Sequence, residues 1–376
     1  MKILILAEGQ LGDLLILTPA LRAMRASFPS AFLTVMVVQR RRYTKVEAGT
    51  RNVIWHDFHG GTTAVLRDSH YVDEIVEVDR GALRTLTGVA RIMAEIRIIR
   101  HLRTRKFDVA ISTFPQDRFA LWAFACGARL RVGQRRQKLS FLFTHACDIS
   151  KEKNGVLRYY CDLVTAAGAS IASYSTEYRI PTSAQQWATD FLRSRQLDRF
   201  PRLVAVHPGA SGPYRIWPPH RFAALIDALQ SSGATKVLLC GSNYDRAPTA
   251  ELRKHLRTAV IEVTTDELPE SVACLAAILQ RCQCCISNDS GPRHLAVAVG
   301  APSLAFMPRF HDRAWKIYED ENKSVVLQGE QACPVCPEGT CLDTIPAGEV
   351  YGSFCMRMIT LERVLTTAKH ILSVDA

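Results

Sequence analysis

No uninterrupted apolar run in this chain is long enough to cross a bilayer, and nothing in it repeats in tandem or falls into low complexity. The first absence argues against a membrane-spanning helix and the second against solenoids and repeat arrays. The opening Met1-Lys2-Ile3-Leu4-Ile5-Leu6-Ala7 is apolar like a secretory leader. Only one charge precedes its apolar core, however, and Glu8, Gly12 and Asp13 follow at once, so it reads as a buried strand of a protein expected to stay in the cytoplasm. The chain also lacks the dinucleotide fingerprint, because Gly9 and Gly12 do not fit G-x-G-x-x-G, which removes the main support for a nicotinamide oxidoreductase. Basic residues interleaved with aromatics along one surface are missing too, which speaks against a nucleic-acid module. Acid is in short supply: 36 Asp and Glu face 47 Lys and Arg, a formal charge of +11. A chain this basic is expected to meet polyanions such as anionic lipid or a phosphorylated sugar.

At 376 residues, with 48% hydrophobic and 22% charged content, the chain exceeds one ordinary hydrophobic core, so two domains are expected. Short Val/Ile/Leu runs alternate with helical patterns, which is how parallel sheets with crossover helices read. Strands are expected near Lys2 to Ala7, Phe32 to Val38, Glu74 to Val78 and Val109 to Ser112. A second series covers Leu203 to Val206, Lys236 to Cys240, Cys284 to Ser287 and Ser303 to Phe306. Helices are expected over Asp13 to Ser27, Pro219 to Ser231, Ser271 to Gln280 and Pro292 to Val299. Two such series predict an α/β protein of two doubly wound Rossmann-like domains facing across a cleft. The boundary is placed at Ile180-Pro181-Thr182-Ser183, giving domains of residues 1–182 and 183–376, the second carrying a Cys-rich tail and a terminal helix. Of the 12 cysteines, most lie inside apolar runs, as fits a reducing compartment.

Ligands of such sheets sit beyond the carboxyl ends of the strands, so chemistry is sought in the loops that follow them. After the first strand, Gly12 permits close approach and Asp13 stands at a helix start, either as its N-cap or with its carboxylate aimed into the cleft. After the first strand of the second half come His207-Pro208-Gly209-Ala210-Ser211 and Arg215-Ile216-Trp217-Pro218. Here Arg215 can grip a phosphate and Ser211 can donate to one, or Arg215 is a solvated surface charge. The turn at Gly241-Ser242-Asn243-Tyr244 is the next loop. The last, Asn288-Asp289-Ser290-Gly291-Pro292-Arg293-His294, leaves free N–H groups, a hydroxyl and a positive dipole end at one spot, which suits an anion as well as it suits a plain helix cap. Three such loops on one face can assemble a diphosphate site.

Lys2-Ile3-Leu4-Ile5 with Gly12-Asp13-Leu14-Leu15 and Thr18-Pro19-Ala20-Leu21, then His207-Pro208-Gly209-Ala210-Ser211 with Arg215-Ile216-Trp217-Pro218, then Asn288-Asp289-Ser290-Gly291-Pro292-Arg293-His294-Leu295-Ala296, resemble glycosyltransferase family 9 in its own order, from the first strand to the Cys-rich tail. The resemblance implies a GT-B fold with an acceptor-binding first domain. It implies a second domain that binds a nucleotide sugar, usually ADP-heptose, and inversion at the anomeric carbon with no cofactor required for catalysis. A lipopolysaccharide core bearing Kdo or heptose is the implied acceptor, the alternative being another nucleotide sugar or a protein acceptor such as an autotransporter. By position, Asp13 matches the catalytic base, while Ser211 and Arg215 match the diphosphate contacts. Asp289, Ser290, Gly291 and His294 match the donor loop, with Gly12 and Gly241 beside it. Arg215 stands where many members carry Lys. A carboxylate near a helix N-terminus is expected to be held ionised and so to be a weak base.

The basic first half, with Arg40, Arg41 and Arg42 as candidate acceptor contacts, suits an acidic glycolipid and a place beside the anionic inner face of the membrane. His56-Asp57-Phe58-His59 reads as a bystander. Cys333, Cys336, Cys341 and Cys355 have the inventory of a structural four-cysteine zinc site, with irregular spacing in the second pair. Iron is the other candidate, since some relatives are said to hold it there, and four free thiols are the alternative to either.

Overall fold

The computed structural model describes residues 1–39, 61–67, 69–309, 312–315, 317–318, 323–329, 336 and 344–374. The chain divides into two compact units, Met1–Thr176 and Glu177–Ala376.

In the first unit β1 (Lys2–Glu8), β2 (Phe32–Gln39), β3 (Glu74–Asp79), β4 (Val109–Ser112), β5 (Leu130–Gln134) and β6 (His145–Cys147) form one sheet in the order β3-β2-β1-β4-β5-β6. All pairs are parallel. Central strands of such a sheet are covered on both faces, so they read as unbroken apolar runs. Ile3, Leu4, Ile5 and Leu6 are all buried, and so are Val35 to Val38. Leu4, Leu6 and Met36 pack with Ile98, Phe119 and Trp122 from the helices Gly88–Thr104 and Asp117–Ala125.

The second unit repeats the plan with β7 (Arg202–His207), β8 (Thr235–Gly241), β9 (Ile261–Thr264), β10 (Cys284–Asn288), β11 (Ser303–Phe306) and β12 (Ser324–Leu327), ordered β12-β11-β10-β7-β8-β9. Val204, Val206, Trp217, Phe222 and Phe306 anchor its core, and Val364, Ala368 and Ile371 of the C-terminal helix Leu361–Val374 close it. Each sheet therefore reverses its winding once, between β1 and β4 and between β7 and β10. Those two reversals are where loops diverge to leave a crevice for ligand.

All eight expected strands are present, but β5, β6, β9 and β12 were not anticipated. They are short, and Arg131, Gln134, His145 and Glu262 interrupt the apolar character that marks a buried strand. The single helix expected over Asp13 to Ser27 is instead two, Leu11–Ile16 and Thr18–Ser27. Pro19 has no N–H to continue the first helix and sits comfortably in the first turn of the second. Among the described residues no helix is long and apolar enough to cross a membrane.

Candidate active site

In the first unit Gly9 and Gln10 carry the chain from β1 into the helix Leu11–Ile16. Gly9 N donates to Val38 O at 3.0 Å, and a Cβ there would lie 2.8 Å from Val37 Cγ1, so this turn lies hard against β2 only because the residue is glycine. Gln10 occupies the N-cap without a side-chain hydrogen bond, so Asp13 lies inside the helix and is not its cap. Gly12 is buried beside it. The Asp13 carboxyl is itself buried, and burial pushes its pKa up to about 6, with Lys151 pulling the other way. The expectation of a carboxylate held firmly ionised is thus corrected: desolvation outweighs the lysine and raises the pKa.

Lys151 opens the short helix Lys151–Asn154 after β6. Its Nζ lies 4.5 Å from the ring centre of Phe114, just past β4, and 5.4 and 5.5 Å from those of Tyr159 and Tyr160. Aromatic faces hold an ammonium without neutralising it, and the Lys151 charge draws the Asp13 pKa down. Sequence reading missed Lys151 because it follows a strand that was itself missed.

In the second unit the loops after β7, β8 and β10 come together. Asn288, the last residue of β10, fixes the long loop after β7: its Oδ1 accepts from Trp217 N at 2.8 Å and its Nδ2 donates to Pro208 O at 2.8 Å. The loop after β8 is held by Asp245, whose Oδ2 accepts from Ser242 N at 2.8 Å and from Ser242 Oγ at 2.7 Å and lies 3.3 Å from His207 Nε2. Burial pushes the Asp245 carboxyl up, but His207 and Ser242 outweigh it and hold it well below the ordinary range. A Cβ on Gly209 would stand 1.7 Å from Asp245 Oδ1, so the glycine is what lets these two loops touch. Gly241 ends β8 at the base of this turn. Ser290 Oγ and His207 Nδ1 are 3.1 Å apart, which ties the β10 loop to the same cluster.

Ser290 caps the helix Gly291–Ala298 without spending its hydroxyl on a capping bond, and Pro292 sits in the first turn. The first backbone N–H groups of a helix have no partner within it, so this end carries free donors and partial positive charge. Arg215 reaches across from the β7 loop. Its Nη1 donates to Ser211 Oγ at 2.9 Å, and its Nη2 donates to Asp289 Oδ2 at 2.8 Å and to Asp289 O at 3.2 Å. Its Nε is buried and donates to no acceptor among the described residues. Behind it, Arg293 is fully buried and donates from Nη1 to Asp289 Oδ1 at 2.6 Å.

Burial opposes the ionised form of Asp289, but the Arg293 and Arg215 guanidinium groups overcome it and hold the carboxyl below its usual value. Burial, helped by the Arg293 and Arg215 charges and opposed by Asp289, pushes the His294 pKa down to about 3, and its Nδ1 lies 2.7 Å from Tyr318 Oη. It is therefore neutral, and its 3.7 Å approach to Asp289 Oδ1 is a contact without an ion pair. One carboxylate against two guanidinium groups leaves a surplus positive charge at the head of this helix. The sequence pointed to Ser211, Arg215, Asp289, Ser290, Gly291 and His294; it did not single out His207, Asp245 or Arg293, which hold them in place. His207 and Arg293 belong to motifs already noted, while Asp245 carried no sequence signal beyond its turn.

Arg40, Arg41, Arg42 and the stretch from His56 to His59 lie outside the described residues, as do Cys333 and Cys341. Cys336 is half-buried, and Cys355 is buried on the helix Phe354–Arg357 with its Sγ 3.3 Å from Ser353 Oγ. Among the described residues no three His, Cys, Asp or Glu side chains group as a metal would require.

Residues 95–342 match the model of glycosyltransferase family 9 (heptosyltransferase). Lipopolysaccharide heptosyltransferase 3 of Escherichia coli is 22% identical over 316 residues, spanning 81% of this chain and 83% of that protein. The solved glycosyl transferase family 9 structure from Veillonella parvula DSM 2008 superposes with a TM-score of 0.75 at 19% identity, covering 100% of this chain and 97% of that one. E. coli heptosyltransferase WaaC with ADP-2-deoxy-2-fluoro heptose superposes with a TM-score of 0.66 at 17% identity, with 100% of both chains covered. The two doubly wound units are those of the GT-B class.

Proposed function

This chain belongs to glycosyltransferase family 9, the heptosyltransferases, and on that footing we propose that it moves a heptose from ADP-heptose to a Kdo- or heptose-bearing lipopolysaccharide core, with inversion at the anomeric carbon. The observation that carries the donor side is the surplus positive charge where Arg215 and the start of the helix Gly291–Ala298 meet Ser211. The solved relative WaaC carries an ADP-heptose analogue, which supports the choice of donor.

An acceptor hydroxyl attacks the anomeric carbon while the bond from that carbon to the diphosphate oxygen breaks. Negative charge then builds on the leaving phosphate. Free N–H groups at Ser290 and Gly291, the Arg215 guanidinium charge and the hydroxyl hydrogen of Ser211 serve that charge. The proton of the acceptor hydroxyl passes to the Asp13 carboxylate. A base with a pKa of about 6 is ionised at neutral pH yet strong enough to take a proton as the new bond forms. Gly12 keeps the backbone beside Asp13 slim enough for sugar to approach. Gly241 and Asp245 frame the donor side, and neutral His294 shapes it without adding charge.

The test is a thermal-shift panel of nucleotide sugars followed by transfer assays. Ligand binding raises the melting temperature by mass action. ADP-heptose should act at lower concentration than UDP- or GDP-sugars. Asp13→Asn should keep that shift and lose transfer. A panel in which a UDP-sugar wins would overturn the donor assignment.

A further inference from the structure

We propose that the face of the first unit built from the helices Gly88–Thr104 and Asp117–Ala125 and the turn Ser140–Leu142 is a docking surface for anionic membrane. This goes beyond the transfer chemistry and does not depend on which sugar is moved.

The helix Gly88–Thr104 carries two apolar stripes. Ala94, Ile98 and Leu102 recur at helical spacing and are buried in the core. Val89, Ile92, Met93 and Ile96 recur at i, i+3, i+4 and i+7 on another side, and the first three are exposed, Val89 by 75%. A core-facing helix needs only one stripe, so the second is unexplained by folding. The apolar exposure continues onto the neighbouring elements. Glu95, on the flank of the exposed stripe, accepts from Trp122 Nε1 at 3.0 Å and pairs with Arg118 Nε at 3.1 Å, which joins the two helices edge to edge. Beyond that seam Leu121 and Phe124 are exposed, and the Arg131 guanidinium lies 5.5 Å from the Phe124 ring while its Nε donates to Leu142 O at 2.8 Å. Next to Leu142 stands Phe141, exposed by 75%. Of the ten exposed large apolar side chains among the described residues, these three elements hold six.

Charge selects the occupant. Arg91, Arg129, Arg135, Arg136 and Lys138 are exposed around this face. Its acids are largely occupied: Glu95 is paired as above, and Asp117 accepts from Leu139 N at 2.9 Å. Arg136 Nε lies 3.7 Å from Asp148 Oδ1, and the cations of this rim still outnumber its acids. Exposed apolar side chains rimmed by such an excess of positive charge fit the headgroup region of an anionic leaflet, where the apolar groups enter the acyl boundary and the cations meet phosphate. A second copy of the chain would bring the same surplus of positive charge and repel.

Co-sedimentation with phosphatidylglycerol-containing vesicles and with phosphatidylcholine vesicles tests this. The full chain should bind the first and bind the second at least about tenfold more weakly. The triple variant Val89→Ser, Ile92→Ser, Phe141→Ser should lose about tenfold or more of the anionic-vesicle binding, since it removes exposed apolar surface. Its melting temperature and its donor-induced shift should stay those of the parent, because none of the three touches the core or the donor loops. As an independent reading, the emission of Phe141→Trp should move to the blue on anionic vesicles. Vesicle binding unchanged in the triple variant, no blue shift, or a parent dimer that the triple variant dissolves without any vesicle binding would each overturn the proposal. Failure of transfer with ADP-heptose would overturn the donor assignment and leave the vesicle result standing.

Discussion

Arg215 and Arg293 divide one buried carboxylate between them: Arg215 Nη2 donates to Asp289 Oδ2 at 2.8 Å while Arg293 Nη1 donates to Asp289 Oδ1 at 2.6 Å. Arg293 is sealed in the core and Arg215 is not, so the shared anion works as a bracket that aims the outer guanidinium. If Arg215 grips the donor as proposed, holding that fork in place beforehand reduces the ordering that binding must impose on it.

Arg215→Lys therefore keeps the charge and loses the aim. An ammonium presents a point charge and cannot span Ser211 Oγ, Asp289 O and Asp289 Oδ2 as the planar fork does. Steady-state kinetics should show kcat/KM for donor falling by about tenfold or more, and Arg215→Ala should cost about a hundredfold or more. Wild-type kcat/KM in Arg215→Lys would show that the fork geometry is irrelevant.

The pH profile should expose Asp13. As a base it acts only when ionised, so kcat/KM should rise with pH through an acid limb near its pKa of about 6. Lys151 lowers that pKa, so Lys151→Met should move the limb to higher pH while leaving the plateau rate near that of the parent. A limb that does not move would separate Lys151 from the base.

Gly209→Ala should hurt twice. The new Cβ would meet the Asp245 carboxylate, which His207 and Ser242 hold in place, so either the β7 loop or the β8 loop must shift. A loss of more than about 1 kcal/mol of stability is expected, together with a smaller donor-induced rise in melting temperature. In an Asp245→Ser background the same change should cost much less, a coupling that a double-mutant cycle measures.

How much of this was legible in the sequence follows from burial. Strands covered on both faces, such as Ile3 to Leu6 and Val204 to Val206, must be apolar throughout and so announced themselves. Short strands bearing Arg131, Gln134 or His145 did not, and the residues that depend on them, Lys151 above all, went unseen. Loop motifs were visible because glycine and proline mark irregular backbone. Their pairings were not, since nothing in the order of residues reveals that Gly209 makes room for Asp245 or that Arg293 stands behind Arg215. Asp13 stood out by its place after β1, but the burial that raises its pKa did not, because a helix start can be read from spacing and desolvation cannot.

That desolvation should also be measurable as stability. The folded pKa of Asp13, about 6, lies above its ordinary 3.8, so the folded protein holds this proton more tightly than the unfolded chain does. Below the unfolded value the carboxyl is neutral in both states and costs nothing. As pH rises from there to about 6 the unfolded chain ionises first, and stability falls until the folded group ionises as well. Above that window the penalty is constant at about 3 kcal/mol, since each pKa unit is worth about 1.4 kcal/mol. Asp13→Asn removes the titration, so chemical denaturation at neutral pH should find the variant more stable by up to that amount. The advantage should shrink as pH falls and be gone near the ordinary carboxylate value. The same substitution should abolish transfer, and a gain in stability alongside that loss would mark Asp13 as a group kept in an unfavourable place for its chemistry. A variant less stable than the parent at neutral pH would mean instead that the carboxylate is held by contacts that favour its charge, and the buried-base reading would fail.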